Sequence, residues 1–140
     1  MPFVSVTRLR VRSWRYVPGF LIQSFRAARQ AKRAAGSLAV SVLRDADRAF
    51  WTRTVWRGEG AMRAFMRSGV HRRVMASLPE WCNEAALVHW VQDANEPPSW
   101  AEAHRRLQQE GRRLRVNHPT EAQRRFEIRE PRVSAGLTFK

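Results

Sequence analysis

Hydrophobic and polar positions alternate with period two along the first stretch, FVSVTRLRVRS. Phe3, Ser5, Thr7, Leu9 and Val11 fall on one face, and Val4, Val6, Arg8 and Arg10 on the other. That alternation, rich in β-branched residues, predicts a strand. The period then lengthens in RYVPGFLIQSFRAARQAKRAAGS, where Phe20, Ser24, Ala27, Ala28, Ala31 and Ala35 recur at three and four. This is a helix, with Pro18 in its first turn and Gly36 as a left-handed stop. Its alanine stripe suits close packing against a sheet.

Two strands follow. SLAVSVLR sets Leu38, Val40 and Val42 on one face, RDADR supplies the turn residues Asp45 and Asp47, and AFWTRTVW alternates Phe50, Thr52, Thr54 and Trp56 against Trp51, Arg53 and Val55. The pair predicts an antiparallel hairpin. In RGEGAMRAFMRSGVHRRVMASLPEW the helical period returns. Ala61, Met62, Phe65 and Met66 make one apolar stripe, and Val70, Val74, Met75 and Leu78 restart it, rotated, beyond a break at Ser68-Gly69, with Pro79 at the end. EAALVHWVQD is a last strand, Ala86, Val88 and Trp90 opposing Leu87, His89 and Val91.

The order βαββαβ within residues 1–92 predicts an α+β, ferredoxin-like plait: a four-stranded antiparallel sheet with both helices on one face. Its other face carries apolar groups with no evident cover and is expected to meet a partner sheet or a ligand. After ANEPPS, residues 93–140 read as a C-terminal extension. It holds a helix over about 99–111, capped by Ser99 with Glu102 three residues on and ended by Gly111. A basic tail follows, in which RRFEIRE is expected as an edge strand and the last eight residues as mobile.

Charge changes this picture little. The formal balance is +14, yet among 26 basic residues only Lys32 and Lys140 are lysines, and the arginines are spread along every segment. They read mainly as a solvated surface, with nucleic acid as a partner that is not favoured. No apolar run approaches the length of a membrane span and no secretory signal is evident, so a cytoplasmic protein is expected. Cys82 is the single cysteine, read as buried rather than nucleophilic. No phosphate-cradling glycine loop or metal site can be built from local spacing.

The residues FWTRTVWRGEGAMRAFMRSGVHRRVM followed by EAALVHWVQ resemble the dimeric α/β-barrel superfamily, in its antibiotic-biosynthesis-monooxygenase-like branch, and more distantly spheroidene-monooxygenase-like proteins. The resemblance covers residues 1–92. It rests on a strand ending in Trp56, a helix carrying Met62 and Phe65 that breaks at Ser68-Gly69, His71 just beyond, and the closing pair His89-Trp90. It implies a homodimer packed sheet to sheet, a cavity between sheet and helices, and monooxygenase-like handling of a small hydrophobic, aromatic or isoprenoid compound. Either no cofactor is implied, or haem with His71 or His89 on the iron.

His71 is the candidate proton-transfer residue, against the alternative that it packs on Leu78 and Met75. Trp51, Trp56 and Trp90 are candidate substrate-contacting rings, or sheet core. Arg53, mid-strand, either faces an anion or reaches solvent from an edge, and His89 is a weaker substrate-binding candidate. The rival function is a non-catalytic dimer that engages an anionic partner through its arginine-rich surface and tail.

Overall fold

The computed structural model describes residues 1–132 and 135–139, the last five by their backbone. Strand β1 (Phe3–Val11) leads through a short 3-10 turn (Trp14–Tyr16) into helix α1 (Val17–Arg33). Hairpin strands β2 (Ser37–Arg44) and β3 (Ala49–Trp56) follow, then α2 (Glu59–Met66), α3 (Gly69–Trp81) and β4 (Cys82–Val91). Helix α4 (Trp100–Glu110), the two-residue β5 (Arg112–Arg113), α5 (Glu121–Arg125) and β6 (Ala135–Phe139) complete the chain. The sheet is antiparallel and open, in the order β5-β4-β1-β3-β2-β6. The expected four strands are its centre; β5 and β6 extend both edges.

Local chemistry explains the turns. Ala49 N donates to the Ala46 carbonyl at 3.2 Å, enclosing Asp47 and Arg48 at φ 60° and 65°, the paired left-handed geometry that matches the twist of a hairpin. Gly36 has φ 85°, and a Cβ there would stand 2.6 Å from the Cβ of Ala61, so glycine is required both by the backbone and by the approach of α2. The α2–α3 break falls at Ser68-Gly69 as the pattern predicts. Helix α3 runs two residues beyond Pro79, to Trp81.

Side chains alternate between two apolar layers. On the helix-bearing face, Phe3, Val40 and Trp56 pack against Ala28 and Ala31 of α1 and Met62 of α2. On the opposite face, Val4, Val6, Leu43, Trp51, Val55, Val88 and Trp90 pack against Ala103 and Leu107 of α4. Both α4 residues have no exposed surface. This corrects the expectation of a bare flank: the chain's own C-terminal helix covers it, and the residues from which a sheet-to-sheet homodimer was expected are already buried.

The extension departs from expectation in one further place. RRFEIRE forms no strand. Helix α5 ends at Arg125, and Phe126 turns the chain at φ 55°. The segment continues across the sheet face, with the Gln108 side chain bonded to the Phe126 carbonyl and the Ile128 amide, both at 2.7 Å. The edge strand is instead β6, beside β2. Of the last eight residues, expected to be mobile, 133, 134 and 140 lie outside the described residues. Among the described residues no helix is long and apolar enough to cross a membrane.

Candidate functional site

The face under α1, α2 and α3 does not close into solid core. A cavity of about 140 Å³ lies between these helices and the central strands. Its roof is mostly apolar, built from Ala27, Ala28 and Ala31 of α1, Phe65 and Met66 of α2, and Val74 and Met75 of α3, with Ser24 and His71 as its polar members. The alanine stripe is what leaves the room. The floor is polar. Val40, Thr54, Ser5 and His89 form one cross-strand row, and Val42, Thr52, Thr7 and Leu87 form the next.

Two histidines border this space. His71, in the first turn of α3, meets Phe65 edge-on with ring centres 5.5 Å apart. Burial lowers its pKa, against a smaller opposing effect from the Met66 backbone. His89 tilts against Phe3 at 5.3 Å, and its Nε2 is buried with no hydrogen-bond partner. Its pKa is also lowered, by burial first and then by Arg112 and Arg63. Both imidazoles are thus predominantly neutral at neutral pH, the form that accepts a proton. An unpaired buried nitrogen costs on the order of 1–3 kcal/mol.

The structure divides the remaining sequence candidates. Trp56 lines the cavity, stacks on Phe65 at 5.5 Å, and donates from Nε1 to Thr54 Oγ1 at 2.9 Å. Trp51 and Trp90 lie on the other face, under α4. Trp51 Nε1 donates to Asp45 Oδ2 at 3.1 Å, and Trp90 carries the Arg106 guanidinium 5.0 Å from its ring centre. Arg53 is on that face too. It meets neither an anion nor open solvent alone, the two alternatives given for it: Nη1 donates to the Pro98 carbonyl at 2.6 Å, and the guanidinium stacks 4.1 Å from the Trp100 ring centre. The arginine that faces a carboxylate from inside the sheet is Arg8, with Glu84 Oε1 at 2.7 Å.

The hydroxyl floor was not among the candidates. Its signal is nonetheless in the sequence, because Ser5 and Thr7 share the face of Phe3, Leu9 and Val11, where a filled core would place apolar side chains. Haem does not fit. Sites for drug-sized ligands occupy ~300–1,000 Å³, above the volume found here. Among the described residues, no three His, Cys, Asp or Glu side chains converge as a metal site. Cys82 is buried at the start of β4, its thiol pushed up to about 12 by burial, and it lies outside the cavity.

Comparison with known proteins agrees with this architecture. The model of DUF3291, described as a domain of unknown function, matches residues 6–136. No curated protein matches the chain. Among solved structures, SnoaB, a cofactor-independent oxygenase from Streptomyces nogalater, superposes with a TM-score of 0.57 at 17% identity, over 66% of this chain and 94% of its own. A conserved protein from Methanosarcina mazei gives 0.60 at 14% identity, over 66% and 94%. A protein described as an antibiotic biosynthesis monooxygenase gives 0.59 at 9% identity, over 66% and 99%. At these identities the likeness is one of fold, the ferredoxin-like fold of antibiotic-biosynthesis-monooxygenase-like proteins. It spans about two-thirds of the chain.

Proposed function

The chain belongs to the DUF3291 family, and from that footing we propose that it binds and oxidises a small aromatic compound in the cavity between sheet and helices, without a resident cofactor. The observation that carries this reading is an apolar roof set over a hydroxyl floor, with two neutral histidines at its border. Such a space takes a ligand that is greasy on one side and polar on the other. Volume narrows the class: an apolar cavity of ~150 Å³ admits benzene, so a single ring fits as the helices stand. A polycycle or an isoprenoid needs α2 and α3 to move apart at their Ser68-Gly69 joint.

The chemistry follows from what the residues can hold. His71, neutral, takes a proton from an acidic hydroxyl or activated carbon of the ligand. His89 Nε2 and the Ser5, Thr7, Thr52 and Thr54 hydroxyls orient the polar edge and stabilise the resulting anion, while the apolar roof keeps water away. The electron-rich anion is then the reductant for dioxygen. For a phenol, oxidation of the ring C–H para to the hydroxyl to a second carbonyl, giving the quinone, with one atom of dioxygen retained and the other leaving as water, balances on the substrate's own electrons. SnoaB, described as cofactor-independent, supports the cofactor-free form.

Methionine methyl NMR tests the reading directly. Met62, Met66 and Met75 line the cavity and Met1 does not. Small phenols are expected to shift the first three methyl resonances, to leave Met1 unmoved, and for productive members to consume dioxygen with no cofactor added. Ligand shifts confined to Met1, or an unresponsive cavity across a broad aromatic panel, would overturn it.

A further inference from the structure

A second hollow, of about 450 Å³, opens on the opposite face, where the ends of β1 and β4, the β2–β3 turn and the arm after α5 come together. Arg8, Arg10, Arg129 and Arg132 line it, with Glu84, Asp47 and Glu127. Most of this charge is internally matched. Glu84 takes Arg8 Nη1 at 2.7 Å and the Thr120 hydroxyl at 2.8 Å. Asp47 Oδ2 takes Arg129 at 3.1 Å and Arg132 at 2.9 Å. Glu127 lies 3.9 Å from Arg125, outside the hollow.

What remains unmatched is cationic. The Arg10 side chain forms no hydrogen bond or ion pair among the described residues, although it is half-buried. Arg8 is only 5% exposed, and its Nε is buried with no acceptor. Burial first, then the nearby Arg48, disfavour the charge on Arg10, and Glu84 and Asp47 offset this only in part. A bound anion would offset both effects. Arg8 and Arg10 are two residues apart on one face of β1, roughly 7 Å along the strand. Two guanidinium forks at that separation suit a centre with several oxygens, which a phosphate presents and a single carboxylate does not.

We propose that this hollow binds the phosphate group of a small molecule, with Arg8 and Arg10 donating from the sheet and Arg129 and Arg132 from the arm at its rim. The volume exceeds that of a phosphate alone and leaves room for the body of a phosphorylated metabolite. The site is independent of the helix-side cavity, being on the other face of the sheet.

Calorimetric titration of inorganic phosphate into the full-length protein at fixed ionic strength tests it. One saturable site per chain is expected. Arg10→Gln should weaken it roughly tenfold or more, the loss of a charge-assisted hydrogen-bonding group. Arg26→Gln, exposed on α1, should leave it unchanged, and a dicarboxylate should bind at least roughly tenfold more weakly than phosphate. Arg10 has no ion pair to break, so an unchanged melting temperature verifies that the variant folds. The proposal is overturned by absence of saturable binding, by wild-type affinity in Arg10→Gln, by equal loss in Arg26→Gln, or by a dicarboxylate that matches phosphate.

Discussion

The guanidinium of Arg53 lies 4.1 Å from the ring centre of Trp100, clamped there by its hydrogen bond to the Pro98 carbonyl. This contact joins the middle of the central sheet to the first turn of α4. It fixes how the extension lies on the plait. Cation–π stacking is worth ~0.5–2 kcal/mol depending on desolvation, and Leu107, buried behind it, adds about 1.5–3 kcal/mol from its own side chain. The extension is therefore part of the sheet's packing, and the other face is left to build a cavity under the helices.

Removing residues 93–140 should uncover Val4, Val6, Leu43, Trp51, Val55, Val88 and Trp90 together. A contiguous apolar face of this kind drives association. Sedimentation velocity is expected to find larger species in the truncated chain than in the intact one at equal concentration. The milder Leu107→Ala should lower the free energy of unfolding by ~2–5 kcal/mol, read from the denaturant midpoint. Identical sedimentation of truncated and intact chains would show that α4 is not the cover.

Narrowing the helix-side cavity separates binding from folding. Ala27 is half-buried on α1 and lines the roof. Leucine at that position adds three carbons directed at free space rather than at packed atoms, so Ala27→Leu should change stability by less than ~1.5 kcal/mol. It should also abolish the aromatic-induced shifts of the Met62, Met66 and Met75 methyls. Retention of those shifts would place the ligand elsewhere.

How far the sequence carried these conclusions depends on which interaction decides each element. The plait was legible because period two and period three-to-four are imposed by backbone geometry, and Gly36 and Ser68-Gly69 mark element ends locally. The placement of α4 was not, since docking depends on tertiary packing. Even so, Trp100, Ala103 and Leu107 recur at three and four, an apolar stripe that had to face something. RRFEIRE has the alternation of a strand, but Phe126 in the left-handed region and the Gln108 amide bonding the next turn break it. Trp51, Arg53 and Trp90 were separable from Trp56 and His89 by parity alone, once the helices were known to sit on the face of Trp56.

Cys82 provides a reporter of opening. Its thiol is fully buried and pushed up to about 12 by that burial, so almost no thiolate is present at neutral pH. Alkylation of the native protein is expected to be slow and to accelerate in denaturant in step with unfolding followed by tryptophan fluorescence. Rapid native labelling would mean that β4 separates from α3 without global unfolding.

The two cavity histidines tie stability to pH with a definite sign. Each has a folded pKa below the ordinary value near 6.5, so between the two values the unfolded chain binds more protons than the folded one. Their contribution is fully present above pH 6.5, is lost as pH falls through 6.5 toward the depressed values, and changes no further below them. Denaturation followed between about pH 5 and 8 should show this slope, and His71→Gln with His89→Gln should flatten it. Turnover runs in the same direction, because a base works only when neutral: the rate on a responsive aromatic should rise with pH through the depressed His71 value and level off near neutrality. His71→Gln is expected to lose a factor of roughly 10²–10⁴, the usual range for general base catalysis. His89→Gln can still donate to the ligand and should lose less. A variant without His71 that keeps both the wild-type rate and its pH profile would leave the imidazole a purely structural role against Phe65.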